Sequence, residues 1–322
     1  MNKFSASFLF RLRRLLSPCF LQNISRTYHY DYVGQFASDF ISNRLDSCEP
    51  LLISRFGSGE LHATATFLRS IGNSRFPFEK CFAFALGKLD TFFWHDGIRH
   101  SLRNGAGIFS VDDSSLEKFS RRMLEDASYI DLLGSWREEE IIVSPFMPHS
   151  LKIPLKDLEP YFCANPWTYS LRNRKVLVIH PFADTIIKQY RNRVFLFNNQ
   201  RTLPDFELLT YKPLQTIAGN HANQFSNWFE ALSSMEKDIA SLDFDVAIVG
   251  AGGYGLPLSA SIKRIGKQAI HLGGATQLLF GIRGRRWDSQ EEFQFLFNNY
   301  WVRPSEYETP SGAESVEGGC YW

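Results

Sequence analysis

Short uninterrupted apolar runs recur along this chain, separated by segments with a helical period. Runs of that kind mark strands buried on both faces. They occur at PLLISRF (50–56), GAGIFSVD (105–112), KVLVIHP (175–181), RVFLF (193–197), FDVAIVG (244–250) and KQAIHLGG (267–274). Helical spacing appears in GELHATATFLRSIG (59–72), where Leu61, Ala65 and Leu68 share one side and Gly72 supplies a stop. SSLEKFSRRMLEDA (114–127) opens with Ser114 and Glu117 at capping-box spacing. ADTIIKQYR (183–191), LPLSASIKRIG (256–266) and ATQLLFG (275–281) also fit helices, the second with Pro257 near its first turn. In residues 223–242, Phe225, Trp228, Phe229, Leu232, Met235, Ile239 and Leu242 form one stripe, which reads as core.

Strands alternating with helices imply crossover connections, and so an α/β fold: a Rossmann-like, mainly parallel sheet flanked by helices. Ligands of such sheets bind beyond the carboxyl ends of the strands. That directs attention to residues 55–60, 180–184, 250–255 and 273–277. The chain divides into a basic amphipathic segment (1–35), a single α/β domain (36–300) and an extended C-terminal tail (301–322). The tail is rich in Pro, Gly, Ser and Glu, and its Tyr321–Trp322 end could pin it back onto the body.

Composition narrows the function. Of 322 residues, 44% are hydrophobic and 21% charged, the range of a folded protein. The 29 phenylalanines predict an aromatic core. A net charge of +1 gives a nucleic-acid partner no support, so any anion site must be local. Cys19, Cys48, Cys81, Cys163 and Cys320 are scattered singly with no CxxC pair. Neither a disulfide framework nor a zinc site is expected, and a reducing, cytoplasmic compartment is. No run of about 18 apolar residues spans a bilayer. The N-terminus nevertheless places Phe4, Phe8, Leu12, Leu15 and Leu16 at helical spacing beside Lys3, Arg11, Arg13 and Arg14. Three readings remain open: peripheral contact with the inner face of a membrane, a helix docked on the domain itself, or a targeting presequence.

Two glycine-rich turns carry the candidate chemistry. After the strand ending at Val249 come Gly250, Gly252, Gly253, Tyr254 and Gly255, then a helix. Glycines allow close backbone approach, and the helix start offers free N–H groups, so phosphate is the fitting ligand. The loop departs from GxGxxG at Tyr254, and the next strand ends in glycines where a dinucleotide site wants a ribose-binding acid. A nucleotide-phosphate or sugar site is therefore preferred. The second turn holds His271, Gly273, Gly274, Thr276 and Gln277, followed by Arg283, Arg285 and Arg286, which could close over a diphosphate. Trp287 or Tyr254 could stack on a nucleobase.

Elsewhere, His180 ends a strand and could act as base or phosphate donor. Asp112, Asp113 and Asp184 also sit at strand ends, although Asp113 could simply cap the next helix. Arg55, Gly57, Ser58, Gly59 and Glu60 bring two opposite charges to one turn: Arg55 to meet a phosphate, Glu60 to bind a metal or accept a proton.

SRFGSGEL (54–61) resembles the SRxGDGEL opening of the GT-D-type glycosyltransferases, and the glycine-rich 248–274 resembles a later part of that fold. The ending also resembles uncharacterised proteins found with surface-polysaccharide enzymes. The resemblance spans residues 50–290 loosely and is specific only at the two motifs. It implies a nucleotide-diphosphate sugar donor, a glycan or lipid-linked acceptor, no covalent cofactor, and a divalent metal (Mn or Mg) at an Asp-x-Glu element. Here that element is Ser58-Gly59-Glu60: the glutamate matches and the aspartate does not. Either Asp112, Asp113 or Asp184 substitutes, or the arginines replace the cation, or catalysis is lost. The expectation is a glycosyltransferase in which Glu60 orients a metal or acts as base, with His180 as the reserve base. The alternatives are another nucleotide-cofactor enzyme, a methyltransferase or oxidoreductase, and a non-catalytic nucleotide-sugar-binding protein.

Overall fold

A computed structural model describes residues 3–16, 29–71, 77–220 and 223–322. Gly72 and Cys19 lie outside them. The described chain is α/β with a seven-stranded, wholly parallel sheet in the order β3-β2-β1-β7-β6-β4-β5. The strands are β1 (Leu51–Ser54), β2 (Leu132–Ser135), β3 (Leu151–Pro154), β4 (Lys175–Ile179), β5 (Glu207–Tyr211), β6 (Val246–Val249) and β7 (Gln268–His271). The helices are α1 (Lys3–Leu16), α2 (Gln35–Asp46), α3 (Ser58–Ile71), α4 (Pro77–Ala85), α5 (Asp96–Ser101), α6 (Asp113–Ala127), α7 (Glu140–Val143), α8 (Ala183–Arg191), α9 (Trp228–Ala240), α10 (Gly255–Arg264) and α11 (Thr276–Leu279).

Successive strand residues feed opposite layers, as the pleat requires. Ala247 and Val249 pack with Phe67, Phe119, Trp228 and Leu258 of α3, α6, α9 and α10. Val246 and Ile248 pack with Ile41, Ile186 and Leu278 of α2, α8 and α11. Every crossover has one hand. Steps from β1 to β2, β2 to β3, β5 to β6 and β6 to β7 run over the first layer. The opposite steps, β3 to β4 and β4 to β5, run over the second. Consequently β1 and β6 send the chain to the first layer and β4 and β7 to the second. These strands interleave as β1-β7-β6-β4, so the backbone parts at each junction and a crevice opens along the carboxyl edge.

Two expected strands are absent. In 105–112 the chain instead follows α5 with a π turn, Leu102–Ala106, and reverses at Gly107 with φ +78°. Its backbone bonds to its own turn and to Thr216, whose hydroxyl donates to the Gly107 carbonyl at 2.6 Å. Residues 193–195 form a 3-10 turn on the surface, with Phe195 stacked on Tyr300 at 4.7 Å. Helix boundaries also move. Asp112, and not Ser114, caps α6 by accepting the Ser115 amide at 3.0 Å. Asn227 caps α9, leaving Phe225 outside that helix but still against the core.

Helix α1 is docked: buried Leu9 packs with Phe84 and Phe93, and Arg13 donates to the Leu89 carbonyl at 2.6 Å. Its outer side leaves Phe8 and Leu15 exposed. Among the described residues no helix is long and apolar enough to cross a membrane. Residues 301–322 fold back onto the body. Val302 bridges Ile282, and Glu308 is buried at the start of α8. The Tyr321 carbonyl accepts from Gln277 at 3.1 Å. The chain's Tyr321–Trp322 end is thus pinned onto the body.

Candidate functional site

A cavity of about 480 Å³ lies at the carboxyl ends of β1, β7, β6 and β4. Residues 55–60 and the two glycine turns, 200 positions apart in sequence, meet there because β1 and β7 are neighbours in the sheet.

Arg55 leaves the end of β1 just before the fully buried Phe56. Its guanidinium lies 5.0 Å from the centre of the Trp136 ring. Trp136 is held in turn by its indole N–H, which donates to the Phe56 carbonyl at 3.0 Å. The buried Glu140 carboxylate accepts the amides of Trp136 and Arg137 at 3.0 and 3.1 Å and fixes the loop after β2. Among the described residues no carboxylate or carbonyl accepts from the Arg55 side chain, and its Nε is buried without a partner. Burial pulls its pKa down, while Tyr321 and Glu60 oppose that shift.

Glu60 stands in the first turn of α3. Its carboxylate folds back over Gly57, where an added Cβ would lie 2.2 Å from Oε2. Burial raises its pKa, against the opposing pull of its own backbone amide and then of Arg55. Arg55 and Glu60 thus face one cavity as two half-buried, opposite charges that form no ion pair with each other.

His180 and His271 are neutral rings. Burial pushes each down to about 3. His271 Nδ1 meets the Ser54 hydroxyl at 3.0 Å, and its ring is wedged against Gly255, where a Cβ would come within 2.2 Å of Nε2. His180 Nδ1 accepts the Phe182 amide at 3.0 Å, which leaves the proton on Nε2. A ring with this pKa makes a poor base, so His180 borders the cavity as a hydrogen-bond donor, not as the reserve base. The glycines of the second turn also make room for this chain's own side chains. Gly273, at φ +63°, backs Arg55, and a Cβ on Gly274 would lie 2.5 Å from the Tyr321 ring.

Several expected residues stand elsewhere. Arg283 pairs with Asp288 at 3.0 Å and Arg285 with Glu314 at 3.1 Å, both away from the cavity. Arg286 borders the cavity instead. It is paired with Glu317 and stacked 4.8 Å from the Tyr321 ring centre. Gly253, Gly255 and Thr276 support the cavity from behind without lining it. Asp112 caps α6, Asp113 pairs with Arg99, and Asp184 faces Lys212 at 3.8 Å, so none joins Glu60. Trp287 is buried in the second layer. Tyr254 is stacked flat on Trp228, 4.8 Å apart and 10° between planes, so one face is closed to a nucleobase.

Other cavity residues carried no strong signal in the sequence: Trp136, the π turn near Gly105, the strand-to-loop segment 213–217, and Glu317 with the terminal Tyr321 and Trp322. Only the aromatic end of the C-terminal segment hinted at its place.

The residues do not suit a divalent cation. Glu60 and Glu317 are the acids bordering the cavity, Glu317 is taken by Arg286, and Ser58 replaces the expected aspartate. Among the described residues no group of three His, Cys, Asp or Glu could hold a metal. The site offers one unpartnered guanidinium, one unpartnered carboxylate and neutral hydrogen-bond donors. No protein-family model matches the chain, and no curated protein or solved structure matches it.

Proposed function

We propose that the protein is a glycosyltransferase that moves a sugar from a nucleotide-diphosphate donor to a glycan or lipid-linked acceptor of the surface-polysaccharide type. One observation carries this: the half-buried Arg55, whose Nε is buried and which has no anionic partner, shares a cavity with the half-buried carboxylate of Glu60, which has no cationic partner. A half-buried guanidinium with no counter-charge is poorly compensated, so the site favours an anionic ligand that completes Arg55. Its place at the parting of the central strands is where nucleotide ligands of parallel sheets bind.

The chemistry follows from these groups. As the bond from the sugar C1 to the phosphate oxygen breaks, negative charge builds on the departing diphosphate, and Arg55 stabilises it. The acceptor hydroxyl oxygen forms the new bond to C1, and its proton passes to the Glu60 carboxylate. Burial raises the pKa of Glu60 and so makes its carboxylate a stronger base than an exposed one. The Nε2–H of His180 supplies a neutral donor to a phosphate or sugar oxygen.

Purified protein should be assayed for hydrolysis or transfer with a panel of uridine, guanosine and cytidine sugar nucleotides. Turnover of a donor by the natural chain, lost in Glu60→Gln, is the expected result. Undiminished turnover by Glu60→Gln removes the residue from the mechanism.

A further inference from the structure

Three features of the cavity's rim go beyond the choice of reaction. The first is a second guanidinium. Arg286 borders the cavity, pairs with the Glu317 carboxylate and approaches the Tyr321 hydroxyl at 3.4 Å. The second is the conformation of the segment that brings Glu317 there. Glu317, Gly318 and Gly319 all have positive φ, at 48°, 70° and 76°. A residue with a side chain rarely adopts that conformation, so Glu317 is presented to Arg286 against local strain. The third is the poverty of metal ligands already noted. A magnesium or manganese ion takes oxygen ligands with at least one or two free carboxylates, whereas this rim engages one of its two acids with an arginine.

We infer that the cavity binds a diphosphate group without a divalent cation, with Arg55 and Arg286 in the cation's place, and that Glu317 is an internal occupant which the ligand displaces from Arg286. The choice of a diphosphate rests on the glycosyl-transfer reading; the charge arrangement does not. Two guanidiniums present planar forks that match phosphate oxygens. Arg55 is fixed in advance by Trp136 and has no partner to give up. Arg286 exchanges one anion for another. The C-terminal segment therefore forms the wall of the site and also competes for it through Glu317.

The test uses the full chain and inorganic pyrophosphate, titrated by calorimetry once in excess EDTA and once in magnesium chloride. Equal affinity in both buffers is expected. Arg55→Gln and Arg286→Gln should each weaken binding about tenfold, the loss of one charge-assisted contact. Glu317→Gln should tighten it about threefold, because a half-exposed ion pair no longer has to be broken. Glu317 sits on an exposed turn, so its variant keeps the test alive if Arg55→Gln fails to fold. Binding that requires magnesium, or weaker binding by Glu317→Gln, overturns the inference and leaves glycosyl transfer standing. Metal-free pyrophosphate binding with no turnover of any sugar nucleotide does the reverse. No binding in either buffer overturns the anion site itself.

Discussion

Glu308 accepts the amides of Asp184 and Thr185 through one carboxylate oxygen, at 2.9 and 3.1 Å. A carboxylate from the last part of the chain therefore occupies the start of α8, the helix that follows β4. Free N–H groups and partial positive charge favour an anion at that position. Ser305 and the Thr185 hydroxyl complete its shell, and the Trp322 indole approaches the Glu308 carbonyl at 3.4 Å. Burial raises the Glu308 pKa, but these hydrogen bonds outweigh it and hold the carboxyl below its ordinary value.

Glu308→Ala should destabilise the protein by about 2 kcal/mol, the scale of losing charge-assisted bonds while stranding buried donors. Urea denaturation measures it. Limited proteolysis should cut residues 303–322 faster in the variant, because the clasp that holds the segment is gone. Unchanged stability together with unchanged cleavage would show that the segment's other contacts, Val302 with Ile282 and Tyr321 with Gln277 among them, hold it without Glu308.

Glu159 predicts a pH dependence of stability. Burial raises its pKa from 4.5 to about 7, against the Tyr161 hydroxyl that donates to it. A carboxyl with a raised native pKa favours the fold in its protonated form. Its contribution is fully present below about pH 4.5 and is lost as pH rises through 7. The linked change is up to about 3 kcal/mol. Glu159→Gln keeps an acceptor for Tyr161 and removes the titration. The stability gap between variant and natural chain should therefore widen in the variant's favour from pH 5 to pH 8.5, measured by urea midpoints. A constant gap would mean that Glu159 stays ionised throughout.

The strands nearest the site were the most legible part of the sequence. β1, β4, β6 and β7 are buried on both faces, so the first three are nearly pure apolar runs and β7 holds its apolar pair between the buried Gln268 and His271. β3 and β5 lie at the sheet edges, where Lys152 and Glu207 interrupt the pattern. β2 reads LLGS, four residues with a glycine, too short to stand out. The turn at Arg55–Glu60 and the glycine loops were legible because special backbone and paired charge leave marks in local sequence. Trp136 leaves no such mark, and Arg286 stands in the sequence only as one of three neighbouring arginines, since their roles come from partners remote in the chain, Phe56 and Glu317. Arg283 and Arg285 looked equivalent to Arg286, and only the acids they meet separate the three.

Ionisation at the site predicts a single ascending pH limb. His180 and His271 stay neutral above about pH 3, so neither contributes an inflection near 6.5. With Glu60 as the base of the proposed reaction, its raised pKa moves the rise in rate to a higher pH than an exposed glutamate gives. The rate of sugar transfer should climb as Glu60 loses its proton and then level off. Glu60→Gln should cost about 10²–10⁴ in kcat, and His180→Phe should mainly raise KM, because it removes a donor and not the base. A descending limb near 6.5 that disappears in His180→Phe would return the histidine to acid–base duty.

Gly255 and His271 offer the sharpest test of why the glycine motif is glycine. In a phosphate loop a glycine makes room for the ligand, so Gly255→Ala would harm binding first and stability little. Here the space is filled by the His271 ring, 2.2 Å from the site of an added Cβ. The two residues belong to α10 and β7, whose packing helps to seat β7 beside β1. Gly255→Ala should therefore lower stability by about 1–3 kcal/mol, the usual result of overpacking a filled core. Adding His271→Ala should recover part of that loss, since the methyl group then enters the vacated volume. A double-mutant cycle of urea midpoints reads the coupling. Additive losses, with weaker pyrophosphate binding in Gly255→Ala alone, would instead make Gly255 a ligand-facing position and place the phosphate nearer α10 than Arg55.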